Sequence, residues 1–569
     1  MGPARPFVFA ATWHHANAKP IQDTMTSIPT STRATPWQTG IHARTLFAWV
    51  GLVPFCGLLF FPGLGERDLT SSHEARAAQN AQTILDEGHW LVPQLFDRHL
   101  ELQKPPLYYW LVALIAWLKG GHVDAWAVRL PAALSALACV LFLFLVGLQS
   151  KRPLAGLLAA LILASCLHFT WLARLGRIDM PLTMTITFAL GSFYLGQLDG
   201  AARFRWHVFA YTSLGVGLLL KGPVALVLPA VVACAAWLVH ILRGTGFRSC
   251  RRDAKNDRIG ILSCRLHTTS LWWGIPLMLA IAAPWYVCAN LRTANQLWEV
   301  FFWYHNVERG LGGSEVLKSH PWWFYVPQMF YDMLPWSLAV PGAIYWFYRN
   351  RETRKDPAAC LGLIWFAAIG LFLSCMSFKR ADYLLPAYPG MAIFLAACAE
   401  RWWRHRWSPE AQAPTESESF ACASDSERSS KFAWASFVAI LFVYAVGWHV
   451  YHIWFIPAEA KAWPYRAMAQ EIRGHTQGPV IFFRAESHPL MYHLGRPVDT
   501  ILEWENLRWW VNRPMPVYIV MREDSAHEWR NHLGSGSLEE VLHTIDYVNG
   551  KRDRPLVVLR SRGNPPANP

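Results

Sequence analysis

The stretch KRPLAGLLAALILASCLHFTWLARLGRIDMPLTMTITFALGSFYLGQL, residues 151–198, contains two apolar runs, at 153–173 and 180–198. Each run is long enough to cross the hydrocarbon core of a bilayer, which takes roughly 17–25 helical residues. Lys151 and Arg152 precede the first run. The turn between the runs holds three charged residues: Arg174, Arg177 and Asp179. The stretch therefore predicts two membrane-spanning helices with charges at the ends of the spans.

The same alternation continues along the 569-residue chain and predicts a mostly α, polytopic integral membrane protein. Hydrophobic residues make up 53% of the chain and charged residues only 16%, against about 25% in soluble domains. This composition argues against a soluble chain and excludes a disordered, collagen-like or coiled-coil chain. We expect about 11 spans, within a range of 10–13, near 44–62, 128–148, 153–173, 180–198, 205–220, 222–242, 271–290, 330–348, 359–377, 381–399 and 433–455.

The positive charge is concentrated in alternate loops. The net charge is +13, and every loop from an even-numbered to an odd-numbered span is basic, at 151–152, 203–205, 243–265, 349–355 and 401–406. Because cytoplasmic loops carry the excess of Lys and Arg, these loops are predicted to be cytoplasmic. The N-terminus is then cytoplasmic and the C-terminus lies outside. Topology accounts for most of the charge, so no nucleic-acid partner is expected.

Three regions follow from the pattern. Residues 1–43 are polar and aperiodic and are predicted to be a disordered cytoplasmic tail. Residues 44–456 form the membrane domain, with long outer loops at 63–127 and 291–329 and a low-complexity cytoplasmic linker at 407–431. The short apolar run 107–118 is predicted to be a helix that lies in the membrane interface.

Residues 457–569 alternate between strand-like and helix-like segments and are predicted to be a small α/β domain outside the membrane. The expected strands are Val480–Phe483, Val517–Val520 and Leu556–Leu559. The expected helices are Tyr465–Thr476 and Ser537–Ile545. No catalytic motif lies in this region.

Charged residues also gather on the outer face, where topology does not require them. They are Glu74, Arg76, Lys104, Arg174, Arg177, Asp179, Lys221, His305, Arg309, Lys379, Arg380 and Asp382. Charges held near the membrane suggest a functional site, and cations on one face suit the phosphate of a lipid carrier. The alternative for each cation alone is snorkelling at a helix end.

Several motifs resemble those of the polyprenyl-phosphate-dependent GT-C glycosyltransferases. They include HEARAAQ (73–79), QKPPLYYWL (103–111), RLGRIDMPL (174–182), LLLKGPVALVLP (218–229), FFWYHNVERG (301–310) and SFKRADYLLPAYPG (377–390). The chain is most similar to bacterial aminoarabinose transferases that modify lipid A, and to their relatives among protein mannosyltransferases. The resemblance covers about residues 44–400 and implies a GT-C-like helical bundle. It also implies inverting transfer of a sugar from a polyprenyl-phosphate donor, with one carboxylate as the base.

The resemblance also suggests roles for individual residues. The family motif Asp-Glu-x-Arg-Tyr corresponds to residues 73–77 here, so His73 stands at the position of the catalytic aspartate, Ala77 at that of the tyrosine, and Gln103 replaces a glutamate. The expected catalytic carboxylate is Glu74 or Asp68, and Asp179 matches the second acidic site. The expected residues that bind the donor phosphate are Arg76, Lys104, Arg177, Lys221, His305, Arg309, Lys379 and Arg380.

The resemblance and the topology together predict a hexosyl- or pentosyltransferase of the bacterial inner membrane, with its C-terminal domain in the periplasm. Its expected partners are a polyprenyl-phosphate-sugar donor, membrane lipids, and an acceptor that is lipid A, another glycolipid, a glycan or a protein. No cofactor is expected, since the outer loops contain no Asp-x-Asp pair and no convincing histidine ligand set, and a divalent metal is the alternative. The alternatives are a transporter or flippase of lipid-linked sugars and a non-catalytic envelope assembly protein.

Overall fold

The computed structural model describes residues 36–242, 268–308, 320–407, 419–461, 464–476, 478–534, 536–548 and 551–562. The chain divides into two compact units, residues 1–48 and 49–569. In the first unit, the described residues belong to helix α1 (Pro36–Phe60). The predicted tail 1–43 therefore ends in helix rather than disorder from Pro36 onward, and residues 1–35 lie outside the described part.

The helices of the second unit follow in order. They are α2 (Ser72–Glu87), α3 (Leu107–Leu118), α4 (Ala125–Gln149), α5 (Pro153–Ala164), α6 (Leu167–Ala173), α7 (Asp179–Leu198), α8 (Arg203–Lys221), α9 (Val224–Leu242), α10 (Thr268–Arg292), α11 (Tyr325–Asp332), α12 (Val340–Arg349), α13 (Arg351–Arg354), α14 (Pro357–Ser374), α15 (Tyr388–Trp407), α16 (Ser419–Val450) and α17 (Ile456–Lys461). A π-helical segment spans Trp298–Glu308, and 3₁₀ segments span Trp322–Phe324, Trp336–Ala339 and Ala381–Ala387.

In the described part of the chain, six helices are long and apolar enough to cross a membrane, or seven if the bent pair α5 and α6 is one span. The prediction of about 11 spans is therefore not confirmed. Helix α7 shows why: it fills the predicted run 180–198 but carries buried threonines, and Thr183 and Thr187 donate to backbone carbonyls four residues earlier, at 2.8 and 2.7 Å. The chain is nonetheless a multi-pass membrane protein.

Within this unit one predicted segment keeps its boundaries and another does not. Helix α3 occupies the residues expected for the short interfacial helix. The predicted linker 407–431 is helical from Ser419 onward as the start of α16, and residues 408–418 lie outside the described part. Neighbouring helices approach closely where glycines face each other: a Cβ built on Gly147 of α4 would lie 2.2 Å from the Cα of Gly156 in α5.

The C-terminal region forms a five-stranded sheet with helices packed against it. The strands are β1 (Val480–Phe483), β2 (Val498–Ile501), β3 (Tyr518–Arg522), β4 (Leu538–Val548) and β5 (Lys551–Ser561), in the order β2-β1-β3-β5-β4. The helices are α18 (Tyr465–His475), α19 (His488–Leu494), α20 (Trp504–Val511) and α21 (Glu523–Leu533). Strands β1, β2 and β3 are parallel, whereas β5 pairs antiparallel with both β3 and β4.

The secondary structure of one segment in this region differs from the prediction. The segment Ser537–Ile545 is expected to be helical, but Leu538–Val548 forms β4 and pairs along its length with β5. Glu539 and Glu540 favour a helix locally, yet pairing with the neighbouring strand decides the conformation. The three predicted strands are confirmed, one of them at both ends and the other two to within five residues, and the helix that begins at Tyr465 is confirmed to within one residue.

The sheet region packs against the first outer loop and so fixes helix α2. The Gln79 side-chain amide donates to the His488 carbonyl at 3.0 Å, and the Tyr492 hydroxyl donates to the Val123 carbonyl at 2.5 Å. Nine residues of α2 are buried, from Glu74 to Ile84. The first turn of α2 is thereby held in place beside the turn that joins α6 to α7.

Candidate active site

A cavity of about 550 Å³ lies between α2, the start of α3, the α6–α7 turn, the end of α8 and the segment that precedes α15. Its charged and polar lining residues are His73, Arg76, Gln103, Lys104, Tyr108, Tyr109, Arg177, Asp179, Lys221, Arg380, Asp382 and Tyr383. Its apolar lining includes Leu182, Val224, Val227, Leu228, Phe301, Phe372, Leu373, Met376 and Phe378. A single cavity therefore combines a cationic wall with a large apolar surface.

Five of the eight predicted phosphate-binding residues meet at this cavity: Arg76, Lys104, Arg177, Lys221 and Arg380. Lys379 does not line the cavity, because its buried ammonium donates to the backbone carbonyls of His320 and Met376. His305 lies in the π-helical segment with its side chain outside the described part, and Arg309 lies outside the described residues altogether.

Asp179 and Lys221 form an ion pair across two helix ends. Asp179 begins α7 and Lys221 ends α8, and the Lys221 Nζ lies 2.5 Å from the Asp179 Oδ1. The same ammonium sits 4.6 Å from the centre of the Tyr383 ring. Because both partners line the cavity, a ligand bound there can contact the Asp179 carboxylate.

Asp382 is a second lining carboxylate, which the sequence analysis counted among the outer-face charges but to which it gave no role. Its Oδ2 binds the Arg177 guanidinium and lies 3.4 Å from Arg380. Its Oδ1 lies 3.4 Å from His168 Nε2, and His168 Nδ1 lies 3.1 Å from an oxygen of Asp332. Asp382 stands two residues after Arg380 in the quoted motif SFKRADY, so its position next to a predicted site residue was the available signal.

Arg76 is held from the side of the first outer loop. Its Nη2 lies 2.8 Å from the Glu101 carboxylate, and its Nη1 donates to the Gln103 side-chain oxygen at 3.2 Å. Glu101 is itself buried. These contacts orient the guanidinium along the cavity wall and occupy some of its N–H donors.

Lys104 differs from the other four cations. In the part of the chain that the structure describes, no carboxylate lies within salt-bridge distance of its ammonium. Burial, together with repulsion from Arg76 and Lys221, lowers the pKa of Lys104 to about 8, although Glu101 and Asp179 act in the opposite direction. The cavity thus contains a cation without a direct partner, which an anionic ligand can supply.

His73 lines the cavity at the start of α2. Its Nε2 lies 3.1 Å from an Arg380 guanidinium nitrogen, which has only donors to offer, so Nε2 accepts. Burial, and then repulsion from the surrounding cations, hold the pKa of His73 well below its usual range. His73 is therefore a neutral imidazole.

Glu74 does not line the cavity, in contrast to its expected role as the catalytic carboxylate. Its fully buried carboxylate accepts from Arg129 at 2.7 and 3.0 Å and from the Gly176 backbone N–H at 2.9 Å. Burial alone would raise the pKa of Glu74, but Arg129, with smaller contributions from Arg67 and Gly176, lowers it to about 2. Its acceptor positions are used to hold α2 against the start of α4.

Asp68, the alternative catalytic carboxylate, also lies away from the cavity lining. Its Oδ1 lies 2.7 Å from the Arg466 guanidinium, and the two side chains are 29% and 65% exposed. Asp68 therefore helps to attach helix α18 to the outer loop. Among the described residues there is also no group of three or more His, Cys, Asp and Glu side chains arranged to hold a metal ion.

Sequence comparison shows which known families and proteins the chain is similar to. Residues 103–247 match the family of dolichyl-phosphate-mannose-protein mannosyltransferases. An undecaprenyl phosphate-alpha-4-amino-4-deoxy-L-arabinose arabinosyl transferase from Pectobacterium carotovorum is 28% identical over 346 residues, which cover 60% of this chain and 57% of that protein. The protein of the same name from Aeromonas salmonicida is 30% identical over 355 residues, covering 61% and 59%. The matched region thus spans less than three fifths of these relatives.

Solved structures share the fold over nearly the whole chain. ArnT from Cupriavidus metallidurans, bound to undecaprenyl phosphate, superposes with a TM-score of 0.66 at 20% identity, covering 92% of this chain and 98% of that one. The archaeal oligosaccharyltransferase AglB from Archaeoglobus fulgidus superposes with a TM-score of 0.54 at 11% identity, covering 90% and 74%. The chain therefore has the GT-C fold, and the resemblance to aminoarabinose transferases that the motifs predict is confirmed.

Proposed function

We propose that this protein is a membrane glycosyltransferase that moves a sugar from a polyprenyl-phosphate donor to an acceptor on the periplasmic side of a bacterial inner membrane. The observation that carries the proposal is the cavity in which five cations and a long apolar surface meet. A lipid that carries a phosphate requires both features in one place. The similarity to arabinosyl transferases whose names specify undecaprenyl phosphate favours that carrier.

The cationic wall suits the phosphate of the donor. Lys104 offers a compact point charge, and Arg177 and Arg380 offer planar forks that match phosphate oxygens. The phosphate is the leaving group in glycosyl transfer, so negative charge builds on it as the bond to the sugar breaks. Fixed cations in a partly buried cavity stabilise that charge without having to rearrange.

The apolar lining suits the polyprenyl chain. Val224, Val227 and Leu228 come from α9, whereas Phe372 and Met376 come from the end of α14 and the turn after it. All of them except Met376 lie on helices long and apolar enough to span the bilayer. An isoprenoid tail can therefore pass from the cationic wall towards lipid without leaving an apolar surface.

The base in this proposal is Asp179, not Glu74 or Asp68. The acceptor oxygen attacks the anomeric carbon as the bond from that carbon to the phosphate oxygen breaks, which inverts the configuration. The acceptor proton passes to the Asp179 carboxylate, and the bonding electrons leave with the phosphate. Asp179 lines the cavity and Lys221 keeps it beside the cationic wall, whereas the oxygens of Glu74 are occupied by Arg129 and Gly176.

The test is sugar transfer by the purified full-length chain in detergent, from a polyprenyl-phosphate-sugar donor to an envelope lipid extract. A transferase releases undecaprenyl phosphate under these conditions, whereas a transporter needs two compartments and does not. Asp179→Asn should lower the rate about 10²–10⁴-fold, since that is the usual contribution of a general base. Asp86→Asn is the matched control, because Asp86 is 41% exposed and pairs with Arg496 away from the cavity lining.

Glu74→Gln separates chemistry from folding in the same experiment. We expect this variant to unfold at lower temperature, because it leaves the buried Arg129 without its anionic partner. The rate per folded molecule should stay near that of the unmodified protein. A folded Glu74→Gln variant without activity, together with an active Asp179→Asn variant, would return the base to Glu74.

A further inference from the structure

The charges that line the cavity restrict the sugar as well as the carrier. The lining contains five permanent or near-permanent cations and only two carboxylates, Asp179 and Asp382. Each carboxylate is already engaged, Asp179 with Lys221 and Asp382 with Arg177 and Arg380. Among the described lining residues, no carboxylate remains without a cationic partner.

The other polar lining residues are His73, Gln103 and the tyrosines Tyr108, Tyr109 and Tyr383, and none of them offers a negative charge. His73 is a neutral imidazole whose Nε2 accepts from Arg380, and the Gln103 side-chain oxygen accepts from Arg76. Both can exchange hydrogen bonds with hydroxyl groups. Neither can balance a cation on a ligand.

A bound phosphodiester adds one negative charge and leaves the wall positive. The buried Glu101 carboxylate, which pairs with Arg76 behind the lining, does not change the sign of this balance. Burial, and then repulsion from Arg76 and Lys221, lower the pKa of Lys104, so the cations of the wall already act on one another. An ammonium group on the donor sugar would lie about 6 Å from this wall. At an effective dielectric constant near 20, the repulsion would weaken binding of that donor on the order of ten- to hundredfold.

We propose that the donor sugar of this protein carries hydroxyl groups and no ammonium group. This inference rests on the proposed function, because it concerns the sugar attached to the same lipid phosphate. It separates this chain from the relatives it matches, whose names specify a 4-amino sugar.

The experiment compares three lipids on the purified full-length chain in detergent at pH 7. They are undecaprenyl phosphate, the same lipid carrying 4-amino-4-deoxy-L-arabinose, and the same lipid carrying L-arabinose, which has a hydroxyl group in place of the amine. Dissociation constants come from competition against a labelled undecaprenyl phosphate. We expect the hydroxyl sugar to bind at least tenfold more tightly than the amino sugar.

Gln103→Glu tests whether charge causes the preference. The change keeps the shape of an exposed side chain and adds one carboxylate to the lining, so folding should survive. It should reduce the preference for the hydroxyl sugar at least threefold, and His73→Asp should act in the same direction. Asn506→Asp is the control, since it adds the same charge on the exposed face of α20, away from the cavity lining, and should leave the preference unchanged.

Each outcome decides a separate question. If the chain binds no undecaprenyl phosphate, the proposed function is wrong and the inference falls with it. If it binds the carrier and binds the amino sugar as tightly as the hydroxyl sugar, the inference alone is wrong. If the preference exists but neither Gln103→Glu nor His73→Asp reduces it, the charge of the lining is not its cause and the inference is again overturned.

Discussion

Two clusters of arginines and carboxylates lie towards the two ends of the helical segment formed by residues 381–407. At the cavity end, Asp382 contacts Arg177 and Arg380. At the other end, the buried Asp356 and Glu400 share Arg152, with side-chain distances of 2.8 and 2.7 Å. Arg401 and Arg404 complete this second cluster, which we call the Arg152 network.

The two clusters differ in whether every cation has a carboxylate partner. In the Arg152 network each arginine contacts a carboxylate, the two carboxylates are almost fully buried, and none of its residues lines the cavity. At the other cluster the same residue types line the cavity, and the neighbouring Lys104 has no carboxylate partner among the described residues. Residue type alone does not separate a structural ion-pair network from a binding site. An unbalanced charge that faces a cavity does.

Removal of Arg152 should produce the largest effect on stability. Arg152→Ala leaves Asp356 and Glu400 buried with weaker compensation, and breaking a buried ion pair in this way costs about 3–5 kcal/mol. Chemical denaturation of the detergent-solubilised chain measures this loss. The affinity of the folded fraction for undecaprenyl phosphate should not change.

The control within that network is Arg404, whose side chain is 62% exposed. Arg404→Ala should cost no more than about 1 kcal/mol, as exposed ion pairs do. Equal losses for Arg152→Ala and Arg404→Ala would contradict the view that burial makes this network structural.

Lys104→Ala should show the opposite pattern. A charged contact to phosphate is worth about 1.5–3 kcal/mol, so the affinity for undecaprenyl phosphate should fall roughly ten- to hundredfold. The free energy of unfolding should not fall, because Lys104 is repelled by Arg76 and Lys221 in the unliganded protein.

Lys151→Ala is the matched control for Lys104→Ala. Lys151 is an exposed lysine in the turn between α4 and α5, outside the cavity lining. Its substitution should leave the lipid affinity within twofold of the original. Similar affinities of the two variants would remove Lys104 from the site.

The comparison also explains which parts of the site the sequence predicts. Six predicted site residues line the cavity: Arg76, Lys104, Arg177, Asp179, Lys221 and Arg380. Except for Arg76, which lies inside the loop 63–127, each follows or precedes an apolar run on the side that the predicted topology assigns to the outer face. Periodicity and the alternation of basic loops contain that information. The assignment of side does not require the distances between spans.

Contacts between distant segments were not accessible in the same way. Glu74 is one of the two carboxylates predicted to be catalytic, but Arg129, 55 residues later, turns its carboxylate away from the cavity. Asp382 acquires its place from Arg177, which lies 205 residues earlier. Likewise β4 owes its conformation to β5 rather than to its own helix-forming residues. Each of these features depends on a tertiary partner that a local pattern cannot identify.

The pH dependence of lipid binding gives a smaller, graded effect. Lys104 is charged in the free protein below about pH 8. A bound phosphate stabilises the ammonium and raises its pKa in the complex, so the affinity should be highest below pH 8 and fall above it, by up to about tenfold per pH unit. Lys104→Arg keeps the charge at all these pH values and should abolish the fall.

The stability of the unliganded chain should change in the opposite direction over the same range. The pKa of Lys104 is lowered from its ordinary value of 10.5 to about 8, so the unfolded chain binds more protons between these two pH values. The charged lysine therefore destabilises the fold below pH 8, and this penalty is relieved as the pH rises from 8 towards 10.5.

An affinity for undecaprenyl phosphate that does not change between pH 7 and pH 9 in the unmodified protein would contradict the assignment of Lys104 to the phosphate.

Asp68→Asn should have the smallest effect, although Asp68 is an alternative catalytic carboxylate in the sequence interpretation. Its contact with Arg466 joins two side chains that are 29% and 65% exposed, and such pairs contribute about 0–1 kcal/mol. We expect a double-mutant cycle with Arg466→Gln to give a coupling within that range, because solvent screens both charges. Sugar transfer and lipid affinity should match those of the unmodified chain, since Asp68 does not line the cavity. A loss of transfer in folded Asp68→Asn, with Arg466→Gln still active, would mean that this carboxylate reaches the reacting sugar after all.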